Sequence, residues 1–152
     1  MNRLRVVVAA MILTGCGTVD TSARDLSPLR FSILGGSYFD PPEIPHIALI
    51  LQTETTYPCL TYQLESTLGV AGNVVRVDVS GRILKPDNCW PATGPAQFRA
   101  PLIIANGTYA LEFRRSGLTD RYAVTVTNTA IDVVAVGAPQ FTRPTASHFP
   151  RD

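Results

Sequence analysis

Residues 73–81 read NVVRVDVSG, and their apolar and polar side chains alternate without a break. Val75, Val77 and Val79 fall on one face of an extended chain, with Arg76, Asp78 and Ser80 on the other. A period of two predicts a strand with one buried and one wet face, because successive side chains of a strand point to opposite sides. The pattern returns in TYALEFRR (108–115), which sets Tyr109, Leu111 and Phe113 against Ala110, Glu112 and Arg114. It returns again in RYAVTVTN (121–128), with Tyr122, Val124 and Val126 opposite Ala123, Thr125 and Thr127. Less regular apolar runs at LRFSIL (29–34), HIALILQ (46–52), CLTYQLES (59–66), FRAPLII (98–104) and AIDVVAV (130–136) predict further strands. After the first 16 residues no stretch carries a 3.6-residue period.

The punctuation between these runs agrees with an all-β chain. Asn106-Gly107, between two apolar runs, is the strongest short hairpin signal, because a type I′ turn requires positive φ at both central residues. RRSGLTDRY (114–122) predicts a longer hairpin loop joining the next two strands. About seven to eight short strands between residues 29 and 137 point to an antiparallel β-sandwich of immunoglobulin-like or related topology. Antibody-type domains carry a Trp on its own strand between two cysteines, whereas here Trp90 directly follows Cys89 in a turn-rich stretch.

With 152 residues, the chain has room for one domain and short tails. Hydrophobic residues make up 45% and charged residues 16%, enough apolar material for a packed core. The formal charge of +1 becomes −1 once Arg3 and Arg5 are set aside with the leader, so no basic surface predicts nucleic acid as a partner. The single lysine, Lys85, stands against twelve arginines.

The leader itself is informative. Arg3 and Arg5 precede an apolar run from Val6 to Leu13, the layout of a secretory signal peptide. The run is far shorter than the roughly 20 apolar residues that cross a bilayer as a stable helix. It ends in Leu13-Thr14-Gly15-Cys16, a branched apolar residue, two small residues and a cysteine, where an ordinary cleavage site carries Ala-x-Ala. This tetrapeptide resembles the lipobox of bacterial lipoproteins. The resemblance implies cleavage before Cys16, a thioether-linked diacylglycerol on its sulfur and acylation of the new amino terminus. Residues 1–15 are then a signal peptide, and the lipid bilayer is a partner through acylated Cys16. Two or three buried acyl chains hold a protein stably on a membrane. Gly17 stands where some members of the family carry an Asp that retains them at the inner membrane, so the resemblance implies the outer membrane of the cell envelope. Residues 16–28, polar and aperiodic, predict a flexible tether, and the proline-rich 138–152 a C-terminal tail.

With Cys16 assigned to lipid, Cys59 and Cys89 remain, and outside the cytosol two leftover cysteines predict one disulfide. Cys59 lies out of phase with Leu60, Tyr62 and Leu64 if those three face the core, so the bond is expected to staple a loop to a strand at one end of the domain. No Cys-x-x-Cys pair supports zinc, and no cofactor is expected.

Material for catalysis is thin. The two histidines are His46, at the start of a predicted strand, and His148, in the tail. Asp40 and Glu43 in GGSYFDPPEIP lack the spacing of a calcium loop. The more informative stretch is PDNCWPATGPAQF (86–98). A disulfide-pinned loop that holds Trp90 next to Pro91 presents a rigid aromatic anchor of the kind enriched at interface hot spots. Alternatively, Trp90 folds back as a lid on the core. The sequence therefore predicts a membrane-anchored, non-catalytic binding or structural module whose partner is an envelope protein or small ligand. A small envelope hydrolase, a subunit of one, or a protease inhibitor is the alternative.

Overall fold

The structure is a computed structural model that describes residues 26–36 and 46–151. Ten strands form in chain order, and the described residues contain no helix. They are β1 (Leu29–Gly36), β2 (His46–Tyr57), β3 (Gln63–Ala71), β4 (Val74–Leu84), β5 (Gly94–Leu102), β6 (Gly107–Arg115), β7 (Leu118–Val126), β8 (Ala130–Ala135), β9 (Thr142–Pro144) and β10 (His148–Pro150). All belong to one hydrogen-bonded sheet in the order β10-β8-β7-β6-β4-β3-β5-β2-β1-β9.

The all-β class agrees with the alternation in the sequence. Val75, Val77 and Val79 on β4, Leu111 and Phe113 on β6, and Tyr122, Val124 and Val126 on β7 are all buried. The architecture differs from a two-sheet antiparallel sandwich of seven or eight strands. Three neighbour pairs, β4–β6, β3–β5 and β1–β9, run parallel. The mixed sheet curls into a half-barrel around Phe31, Phe113 and Tyr122. The Phe31 ring centroid lies 4.7 Å from Phe113 and 4.9 Å from Tyr122, the latter contact edge-to-face, an arrangement that favours the aromatic quadrupoles as well as burying area.

Asn106-Gly107 does not close a hairpin. β5 and β6, which flank it, are separated in the sheet by β3 and β4, and β6 lies parallel to β4 from Val74↔Ala110 to Asp78↔Arg114. The tight turns lie elsewhere. Ser116 (φ 50°) and Gly117 (φ 83°) join β6 to β7, the paired positive φ values of a type I′ turn. The hairpin over RRSGLTDRY is thus present, but its loop is two residues and not the longer one expected, because the pairing runs on to Arg115↔Leu118. Gly72-Asn73 joins β3 to β4.

Residues 138–152 were expected as a tail, yet they contribute β9 and β10. The segment lies between β1 and β8 and spans the open side of the half-barrel. β9 runs parallel to β1 over Leu29↔Thr142 to Phe31↔Pro144, and β10 runs antiparallel to β8. Arg151 bridges to Gly35 farther along the same edge of β1. Phe141, Thr142 and Phe149 are buried.

Strand directions give the half-barrel two ends. At the proximal end residues 26–28 lead into β1. The β2–β3, β4–β5, β6–β7 and β8–β9 connections gather there as well, since β2, β4, β6 and β8 all run toward it. The β3–β4, β5–β6 and β7–β8 connections lie at the distal end.

Candidate functional site

The proximal end holds Cys59, Cys89, Trp90 and Pro91. Cys59 lies in the turn after β2 and is bonded to Cys89 in the β4–β5 loop, with a Cα–Cα distance of 5.3 Å. The bond ties a turn and a loop together at one end of the sheet. Tyr62 and Leu64 face the core as expected, but the phase breaks at the turn: Cys59 is buried, and Leu60 is exposed. Leu60 is turned outward because its backbone N–H donates to the Trp90 carbonyl at 3.3 Å and its side chain lies across Gly94. A Cβ at position 94 would collide with Leu60 Cδ2, so a larger residue there would make the leucine side chain swing aside.

The loop has further ties. Thr61 Oγ1 donates to the Asn88 carbonyl at 2.9 Å, and the Ala92 N–H donates to the Trp90 carbonyl at 2.7 Å. Beneath it, Tyr57 and Tyr62 stack with centroids 5.0 Å apart. Trp90 itself projects outward with 68% of its surface exposed. It is no lid on the core. Pro91 beside it is exposed too.

Across the same end, buried Arg115 holds the incoming chain. Its guanidinium donates to the Ser27 carbonyl at 2.8 Å and the Leu26 carbonyl at 3.1 Å, and it stacks 4.5 Å above the Phe141 ring. Such a cation, fully enclosed, needs donors satisfied and a π face to remain charged without water. Asp120, also buried, does the same for the C-terminal segment. Its carboxylate accepts the N–H groups of Gln140, Phe141 and Thr142 at 2.7–2.9 Å and the Thr142 hydroxyl at 2.7 Å. Burial pushes its pKa up, and these hydrogen bonds outweigh that effect and hold the carboxyl below its ordinary value. The Tyr122 hydroxyl donates to the Thr142 carbonyl at 2.8 Å.

A groove of about 690 Å³ opens in the wall where β4 diverges from β6 beyond Asp78. Glu65, Ser66, Asp78, Ser80, Arg114 and Thr119 line it. Two buried polar atoms in this lining, Ser66 Oγ and Arg114 Nε, have no hydrogen-bond partner. Nothing in the one-dimensional pattern announces the groove, because it arises from a parallel pairing that ends partway along two strands. Glu112, on the outer wall, accepts from Arg114 and Arg121 at 3.1 Å, with Arg76 at 3.6 Å.

Cys16, Asp40 and Glu43 lie outside the described residues, as does the side chain of His46. His148 Nδ1 sits 2.7 Å from Asp132 Oδ1 on the surface of β10 and β8. The structure does not bring it to the proximal end. Among the described residues no group of three or more His, Cys, Asp or Glu is arranged to hold a metal, and no helix is long and apolar enough to cross a membrane.

No known family, curated protein or solved structure matches this chain.

Proposed function

We propose that this protein is a lipid-anchored component of the bacterial envelope, a non-catalytic module that binds through the proximal end of its sheet. The observation that carries the reading is Trp90, two-thirds exposed on a loop tied down by the Cys59–Cys89 bond. A large aromatic side chain left in water loses the hydrophobic free energy that burial would give it. Holding it there on a restrained loop reduces the ordering cost when a partner covers it. The lipobox-like Leu13-Thr14-Gly15-Cys16 supports the anchor, and Gly17 after it the outer-membrane address.

Two linked experiments test this. Metabolic labelling with palmitate should mark the wild-type protein and leave Cys16→Ser unlabelled. A photoreactive phenylalanine analogue in place of Trp90 should yield an adduct in intact cells, and the same analogue in place of Val70, near the distal end, should not. Equal labelling of both proteins, or equal adducts from both positions, contradicts the proposal.

A second reading, capture of a small polar ligand, is favoured by the wall groove, where Ser66 Oγ and Arg114 Nε are buried without partners. A buried donor without an acceptor costs about 1–3 kcal/mol, which a ligand acceptor would recover. Under this reading, Arg114→Ala abolishes the ligand-observed NMR signal of a bound polar fragment that wild type produces.

A further inference from the structure

We infer that the surface which receives the proximal end is the lipid bilayer that holds the acyl chains of Cys16. This rests on the lipid anchor proposed above and names the partner of the end that carries Trp90.

The first observation is where the exposed apolar side chains sit. Of the eight large apolar side chains exposed among the described residues, five lie at the proximal end: Leu26 (63% exposed), Leu60 (42%), Trp90 (68%), Leu118 (40%) and Val136 (57%). Val134 stands on β8, whereas Val70 and Ile103 lie apart at the distal end. Leu60 and Trp90 adjoin through the hydrogen bond from Leu60 N–H to the Trp90 carbonyl. Leu26 and Leu118 adjoin through Arg115, which holds the Leu26 carbonyl and pairs with Leu118 across the β6–β7 turn. Val136 follows β8 and donates its N–H to the Arg121 carbonyl. The end is thus rimmed by apolar side chains that come from five separate segments. Folding gains nothing by leaving them in water. An apolar medium beyond the protein gives each of them a place.

The second observation is charge. The connections that build this end, residues 26–28, 58–62, 85–93, 116–117 and 136–141, contain only Lys85 and Asp87 as ionisable charges. The strands beside them carry Glu54 paired with Arg30 and Arg143, and Arg121 next to Val136. Entry into the headgroup and acyl boundary is costly for charged side chains. It suits Trp and Tyr, whose rings are apolar and whose N–H or O–H still finds a polar partner. Trp90, 68% exposed, meets that description.

The third observation is reach. Only residues 17–25 separate Cys16 from Leu26, and Leu26 leads into β1 at this same end. Even fully extended, such a connection spans at most about 35 Å. The proximal end is therefore the part of the domain held nearest the membrane. A linker this short sets an effective concentration on the order of millimolar. Surface affinity too weak to matter for a free protein suffices for a tethered one. The distal end, across the length of the strands, then faces away from the bilayer and is free for other contacts.

Trp90 is the single tryptophan of the chain, so its fluorescence reports this contact without a label. The full lipidated protein is reconstituted into phosphatidylethanolamine–phosphatidylglycerol vesicles, with and without lipids carrying a shallow acyl-chain quencher. Its acylation is read by intact mass. A control, Trp90→Phe with Ile103→Trp, moves the single tryptophan to the distal end, where Ile103 is 80% exposed. The expected result is a blue-shifted Trp90 emission that loses most of its intensity to the lipid-borne quencher, while the tryptophan at position 103 stays in water and unquenched. Acylated protein with neither tryptophan quenched, or with both quenched equally, overturns the docking and leaves the anchor standing. Protein without acyl mass at Cys16 overturns the anchor and the docking with it.

Discussion

Asp120 shows how a single buried side chain organises this molecule. Its two oxygens receive four hydrogen bonds, all from residues 140–142. Asp120→Asn keeps the shape, but it replaces an acceptor by a donor that faces backbone N–H groups. The expected cost is roughly 3 kcal/mol, since bonds to a charged acceptor are stronger than neutral ones and an orphaned buried donor is penalised in full. The pH dependence follows from the depressed carboxyl. Because the folded state binds this proton less readily than the unfolded chain, the stabilisation is complete above an unfolded pKa near ~3.9 and is lost as pH falls through the folded value. Thermal melts of wild type and Asp120→Asn should differ most at neutral pH and converge below about pH 4. A constant gap down to pH 3 would show that the charge is not responsible. Trp90 is the opposite case. At 68% exposure, Trp90→Ala should alter stability by no more than about 0.5 kcal/mol, as surface substitutions do. A fall of several degrees in Tm would instead make the ring part of the core.

Strands and loops divide into those that local sequence specifies and those that depend on distant partners. β4, β6 and β7 were legible because period two is a local property, and their inward residues are buried except for the half-buried Tyr109. The hairpin between β6 and β7 was legible for the same reason, although its loop is the two-residue Ser116-Gly117 turn where a longer one was expected. Asn106-Gly107 misled because a turn signal describes only its own four residues, while β6 is captured by β4 in a parallel pair that no local feature encodes. The tail misled through Pro139, Pro144 and Pro150. These mark breaks, yet β9 and β10 need only three residues each, and Phe141 and Phe149 anchor them in the core. Truncation after Gly137 should therefore abolish cooperative unfolding. It removes two buried phenylalanines, each about 3–5 kcal/mol by comparison with Phe→Ala substitutions, and strips Asp120 of its donors. A sharp melt in the truncated protein would show that the half-barrel holds without its strap. The site residues were partly legible. The Cys59–Cys89 pairing followed from cysteine arithmetic, but the outward turn of Leu60 follows from its close packing on Gly94. With its cysteines 30 positions apart, the bond should contribute roughly 3–4 kcal/mol by the chain-entropy argument. Melting with and without reductant measures it, and an unchanged Tm would remove the staple from the account.

The molecule as a whole has a direction. Chain entry, the disulfide, the exposed apolar rim and the near-absence of charged loops coincide at the proximal end, while the strands carry the fold away from it. If Cys16 bears lipid, that geometry sets the domain on the membrane by the end that carries Trp90. Everything therefore turns on the amino terminus of the mature protein, which mass spectrometry of the membrane fraction reads directly. The account predicts an N-terminal peptide that begins at Cys16 and carries the added mass of its acyl chains. A soluble protein that retains Met1, with an unmodified Cys16, would contradict it.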